Sequence, residues 1–61
     1  MKKVFIAEDQ TILRDLICRV LDQYPQIQVI GTSGDGQDAY ERCLDQKPDI
    51  IILDIMMPYL N

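Results

Sequence analysis

Two short apolar runs in this chain each end in acid, and segments of helical period lie between them. The first run is Val4-Phe5-Ile6-Ala7, followed by Glu8 and Asp9. The second is Ile50-Ile51-Ile52-Leu53, followed by Asp54. Runs that are apolar at every position suit strands covered on both faces, as in parallel sheets. Between them, Ile12, Leu13, Leu16, Ile17, Val20, Leu21 and Tyr24 recur at the spacing of an amphipathic helix, which Pro25 stops. Ile27, Val29 and Ile30 predict a further strand, and residues 31–36 a loop. Asp35 is placed to cap a second helix, with Asp38 in its first turn. Ala39, Tyr40, Cys43 and Leu44 form that helix's stripe, and Pro48 closes it. Residues 55–61 read as a connecting loop.

Strand, helix, strand, helix, strand is the pattern of a parallel α/β sheet with helical crossovers. Crossovers are right-handed, which leaves two natural orders for three strands. If strand three lies beyond strand two, both helices share a face. If it lies on the far side of strand one, the order is 2-1-3 and the helices take opposite faces. The second order covers both faces of the apolar first strand. It also creates a switch point at the carboxyl ends of strands one and three, where ligands of such sheets bind. We expect the 2-1-3 order.

Sixty-one residues make one domain at most. Ten acids against six bases, a net charge of −4, argue against nucleic acid or an anionic membrane as a partner of this segment. Lys2, Lys3, Arg14, Arg19, Arg42 and Lys47 read as a scattered solvated surface. Cys18 and Cys43 fit neither a disulfide scaffold nor a zinc motif and are expected to be reduced thiols. Glu8 and Asp9 interrupt the first apolar stretch too early for a signal peptide, and no run is long enough to span a bilayer. The expected compartment is the cytoplasm.

The expected topology gathers Glu8, Asp9 and Asp54. Three carboxylates in a partly dry pocket repel one another, so either one stays protonated or a cation neutralises them. Oxygen ligands with room for water suit Mg²⁺. A carboxylate at a strand end is also a competent nucleophile towards phosphorus. Taken singly, each acid has a plainer role: Asp9 as a helix cap, Glu8 as its solvated neighbour, Asp54 as a turn residue. Their convergence favours a site.

Residues 4–10, Val-Phe-Ile-Ala-Glu-Asp-Gln, resemble the opening strand and acidic pair of bacterial response-regulator receiver domains. Residues 50–58, Ile-Ile-Ile-Leu-Asp-Ile-Met-Met-Pro, resemble their phosphorylation strand and the loop after it. Gly34-Asp35-Gly36-Gln37-Asp38-Ala39 and Pro48-Asp49 match the elements between. The resemblance covers the whole chain and is nearest to the subfamily with a helix-turn-helix output domain. It implies a flavodoxin-like doubly wound fold in two-component signal transduction. Asp54 would accept phosphate from a histidine kinase, and Glu8, Asp9, Asp54 and the backbone carbonyl of Met56 would hold Mg²⁺. Tyr59 stands where family members usually have glycine. The domain would not be an enzyme in its own right.

A full receiver domain has five strands in the order 2-1-3-4-5. Residues 1–61 are therefore read as an incomplete receiver domain, with strands one to three, helices one and two and no output domain. Strand three then becomes a sheet edge, and a dimer or larger assembly through it is expected. Two rival readings stand beside this one. The glycine-rich stretch 31–36 precedes a helix as a phosphate loop does, but it fits neither common nucleotide-binding pattern and no lysine follows it. Alternatively, the chain is an assembly module without phosphate chemistry.

Overall fold

The computed structural model describes residues 1–53. Three strands, β1 (Lys2–Ala7), β2 (Ile27–Ser33) and β3 (Ile50–Leu53), alternate with two helices, α1 (Thr11–Leu21) and α2 (Gly36–Gln46). The sheet order is β2-β1-β3, as expected, and both pairings are parallel.

β1 is central because it is the strand that can be covered on both faces. Val4, Phe5, Ile6 and Ala7 are all buried. Side chains alternate along a strand, so Phe5 and Ala7 share one face, where they pack with Ala39 and Cys43 of α2. Val4 and Ile6 point to the other face, on the side of α1. Full burial of an aliphatic or aromatic side chain contributes about 1.5–3 kcal/mol, so these few residues carry much of the apolar stabilisation among the described residues.

The register of β3 is fixed at its entry. The Lys3 backbone N–H donates to Asp49 Oδ2 at 2.8 Å, and the Asp49 N–H donates back to the Lys3 carbonyl at 2.8 Å. The pairing then runs Val4 with Ile50, Phe5 with Ile51, Ile6 with Ile52 and Ala7 with Leu53.

β2 is longer than the expected 27–30 and takes in half of the expected loop. The register slips between Val4 and Phe5, which pair with Val29 and Gly31, so Ile30 is an extra residue in the ladder. Pairing continues past the slip to Ser33 because glycine lets the strand lie against the Phe5 ring. A Cβ on Gly31 would sit 2.8 Å from Phe5 Cε2. The loop is thereby reduced to Gly34 and Asp35, and Gly36 opens α2.

α1 ends at Leu21, before the expected Tyr24. A residue preceding proline is driven away from the helical region. The chain leaves the helix through a turn in which Asp22 N–H donates to the Cys18 carbonyl, Gln23 N–H to that of Val20 and Tyr24 N–H to that of Leu21. α2 has the expected cap: Asp35 accepts from the N–H groups of Gln37 and Asp38, both at 3.3 Å. Its far end turns on Lys47, in the left-handed region at φ 51°.

The helix stripes correct a sequence expectation. Leu13, Leu16 and Val20 of α1, and Tyr40 and Leu44 of α2, belong to the apolar stripes read from the sequence, which should face a core, yet they are exposed, at 38–60%. Ile17 and Leu21 are half-buried, and no α1 residue is fully buried. Each helix rests chiefly on β1 and β2. One helix per face of a narrow sheet can seat only the inner edge of its stripe. Ile50, Ile51 and Leu53 of β3 are likewise 44–49% exposed. No described helix is long and apolar enough to cross a membrane.

Candidate functional site

The carboxyl end of β1 carries the two acids that the sequence places there. Glu8 is buried, 5% exposed, and is held along its backbone and through its carboxylate. Its N–H donates to the Ser33 carbonyl at 2.9 Å, which continues the β1–β2 pairing one residue past the strand. Its carbonyl accepts from Arg14 Nη1 at 2.9 Å. Its carboxylate Oε2 accepts the Gln10 N–H at 3.1 Å. Asp9 follows and is exposed.

Asp9 is not the cap of α1. That position falls to Gln10, whose side chain makes no capping hydrogen bond. The plainer role weighed for Asp9 from sequence is therefore absent, and Asp9 is exposed just past the end of β1. Glu8 is not a solvated neighbour either, since it is buried.

Asp54, the expected acceptor, lies outside the described residues, as do Met56, Pro58 and Tyr59. The described part of β3 nevertheless fixes the level at which the chain arrives. Leu53, the residue before Asp54, is in register with Ala7, the residue before Glu8. Among the described residues, no three of His, Cys, Asp and Glu gather into a metal-holding group. Glu8 and Asp9 are two oxygen donors at the switch point, a donor type that suits a hard divalent cation.

Two cations that the sequence assigns to solvated surface have structural work instead. Arg14 reaches back from the first turn of α1 to the Glu8 carbonyl. Arg42 of α2 lies over the Phe5 ring, 5.1 Å from its centroid. It donates to the Thr32 carbonyl at 2.7 Å and pairs with Asp38 at 3.5 Å. Asp38 in turn accepts from the Ser33 hydroxyl at 2.8 Å. One signal for Arg14 was present in the sequence. A basic residue in a helix's first turn opposes the macrodipole, where acids are favoured, so its presence there calls for a partner elsewhere.

Both cysteines are free, as expected. Burial pushes the Cys18 thiol up, and the nearby Asp15 carboxylate adds to the effect. Burial also raises Cys43, against the opposing charge of Arg42. Neither environment is that of an activated thiolate. The glycine-rich stretch that supported a nucleotide-binding reading is largely strand β2 and the opening of α2.

Comparison with known proteins agrees with this architecture. Residues 4–61 match the model of the response regulator receiver domain. The receiver of Thermotoga maritima CheB, known from its crystal structure, superposes with a TM-score of 0.92 at 34% identity, over all of this chain and 46% of that one. A protein-glutamate methylesterase/protein-glutamine glutaminase of Clostridium acetobutylicum is 44% identical over 59 residues, 97% of this chain and 17% of the relative. The transcriptional regulatory protein LnrK of Bacillus subtilis is 38% identical over 61 residues, all of this chain and 28% of that protein. The chain thus spans only about a sixth to a quarter of the length of these curated relatives. They include both methylesterases and a transcriptional regulator, so the helix-turn-helix subfamily is not singled out. On its family match, its 2-1-3 sheet and its likeness to a solved receiver, the chain belongs to the response regulator receiver domain family.

Proposed function

We propose that this segment is the phosphate-accepting part of a two-component response regulator, with Asp54 as the acceptor. The observation that carries the reading is the parallel register of β1 and β3. Ala7 pairs with Leu53, so β1 and β3 reach the same level, and in sequence Glu8-Asp9 follow Ala7 as Asp54 follows Leu53. A histidine kinase is the donor. The P–N bond of its phosphohistidine breaks, a carboxylate oxygen of Asp54 forms the new P–O bond, and the electron pair of the broken bond stays with the imidazole nitrogen.

Glu8, Asp9, Asp54 and the Met56 carbonyl are the proposed holders of Mg²⁺. When bound, the ion would neutralise the acids and stabilise charge on the phosphoryl oxygens. The protein's own contribution is positional. Glu8 is held by hydrogen bonds at its N–H, its carbonyl and its carboxylate, and Asp9 follows it at the exposed end of the strand. The setting for this exchange is the cytoplasm.

The proposed output of the parent protein is control of transcription, supported by the likeness to LnrK. A methylesterase output has support from the Clostridium relative. Binding of promoter DNA by the full chain, against hydrolysis of protein glutamate methyl esters, separates them.

Self-association is a second reading with its own observation. Among the described residues the outer edge of β3 has no strand partner, and Ile50, Ile51 and Leu53 are exposed along it. The proposed occupant is β3 of a second copy. Sedimentation showing a monomer at high concentration rejects it in favour of a strand from the same chain.

The test of the phosphoacceptor is intact mass after incubation with Mg²⁺ and acetyl phosphate, with and without Asp54→Asn. A phosphoryl adduct that disappears in Asp54→Asn supports the reading. A folded protein that never acquires the adduct rejects it.

A further inference from the structure

The acidic turn after β1 is braced from α1, and the brace passes between two loops. Arg14 Nη1 donates to the Glu8 carbonyl at 2.9 Å. The same nitrogen fills the space above Gly34, in the β2–α2 loop, where a Cβ would lie only 2.6 Å from it. Gly34 has no positive φ, so its value here is room and not backbone freedom. The guanidinium is thus seated between the turn that carries Glu8 and Asp9 and the loop that caps α2. Its own backbone N–H closes the first turn of α1 on the Gln10 carbonyl at 2.9 Å, which fixes the base from which the side chain reaches.

We propose that Arg14 is a positioning residue for the acidic pair, and that Gly34 is glycine because the guanidinium needs its space. The inference rests on the reading of Glu8 and Asp9 as cation ligands. Arg14 touches neither phosphate nor metal in this scheme. It holds the peptide from which Glu8 and Asp9 project, as outer partners hold metal ligands in other sites. Charge alone predicts the opposite sign. A cationic side chain near the acids repels a second cation, so removing it on electrostatic grounds tightens Mg²⁺ binding. The brace predicts weaker binding, and the two effects are therefore separable by direction.

The experiment is calorimetric titration of the full chain with Mg²⁺, with amide hydrogen exchange at Glu8 and Gln10 measured in parallel. Arg14→Ala removes brace and charge together. Gly34→Ala keeps the charge and displaces the guanidinium. Arg42→Ala removes a cation that does not touch the turn. Arg14→Ala and Gly34→Ala are expected to weaken Mg²⁺ binding about tenfold, the low end for loss of an outer partner, and to speed exchange of both amides. Arg42→Ala should leave affinity within about twofold, on the same scale. Unchanged or tighter Mg²⁺ binding in Arg14→Ala and Gly34→Ala overturns the proposal. If the parent protein binds no Mg²⁺, the ligand reading of Glu8 and Asp9 fails, and the amides then decide the brace alone. Faster exchange in both variants upholds it, and unchanged exchange overturns it.

Discussion

Replacing Gly31 with alanine sets two opposing effects against each other, and the structure says which should win. Gly31 has no positive φ, so alanine suffers no backbone strain there. By restricting the unfolded chain, such a change ordinarily stabilises by about 0.4–1 kcal/mol. Against this, the new methyl carbon would lie 2.8 Å and 3.1 Å from Phe5 Cε2 and Cδ2, and 3.1 Å from Arg42 Nη2. Arg42 can swing away, since its side chain is 38% exposed. Phe5 cannot, because it is fully buried beneath that guanidinium and packed against Ala7 and Ala39. Overpacking of this kind costs about 1–3 kcal/mol. The net expectation is a loss of about 1 kcal/mol, the difference between those two ranges. In urea titration this moves the midpoint down by about 0.5–1 M for a slope of 1–2 kcal/mol/M. The same change in a Phe5→Leu background, where the ring edge is gone, should be close to neutral. A midpoint for Gly31→Ala at or above the parent's would refute the reasoning, as would an equal loss in both backgrounds.

Two further outcomes follow from other positions. Lys47 holds φ 51° and ψ 62° at the end of α2, a conformation costly for any residue with a Cβ. Lys47→Gly should therefore stabilise by about 0.5–1 kcal/mol in the same titration. Cys18 and Cys43 have raised thiol pKa values, through burial first. A folded-state value above the unfolded one favours the fold while the thiol is protonated, and that contribution is lost as pH climbs through the folded value. Stability should thus decline across the alkaline range, and iodoacetamide should label both thiols more slowly than in the urea-unfolded chain at pH 8. Equal labelling rates would contradict the burial.

The order of elements and the sheet order were legible because they follow from periodicity and from the apolar content of one strand. Val4 to Ala7 needs cover on both faces, and only a central position supplies it. The acidic turn was legible for the same reason, since the end of a central strand is a switch point. What escaped depends on pairs of residues far apart in the chain. The slip that carries β2 past Gly31 is set by the Phe5 ring, and the seat of Arg42 is set by that ring too. Arg14, a base near a helix N-terminus, signals that it has a partner but not that the partner is the Glu8 carbonyl. The exposure of Leu16, Val20 and Leu44 was missed because periodicity tells which face of a helix is apolar, but not how much sheet is there to receive it. Asp9 is exposed and Glu8 buried, a division between neighbours that composition does not encode.

The clasp between Lys3 and Asp49 has a consequence in time. It joins residues 46 positions apart, and the strand it completes sits beside one synthesised well before it. At about 5–20 residues per second, β1 waits roughly 2–9 s after emergence for its second neighbour. During that interval β2 can occupy only one of its edges, and the other offers Val4 to Ala7 to any extended chain nearby. Slow closure of distant contacts is the kinetic burden of parallel sheets. In this fold it falls on the very strand whose end carries Glu8 and Asp9, so nascent chains are most vulnerable to mispairing while that strand stands half-dressed.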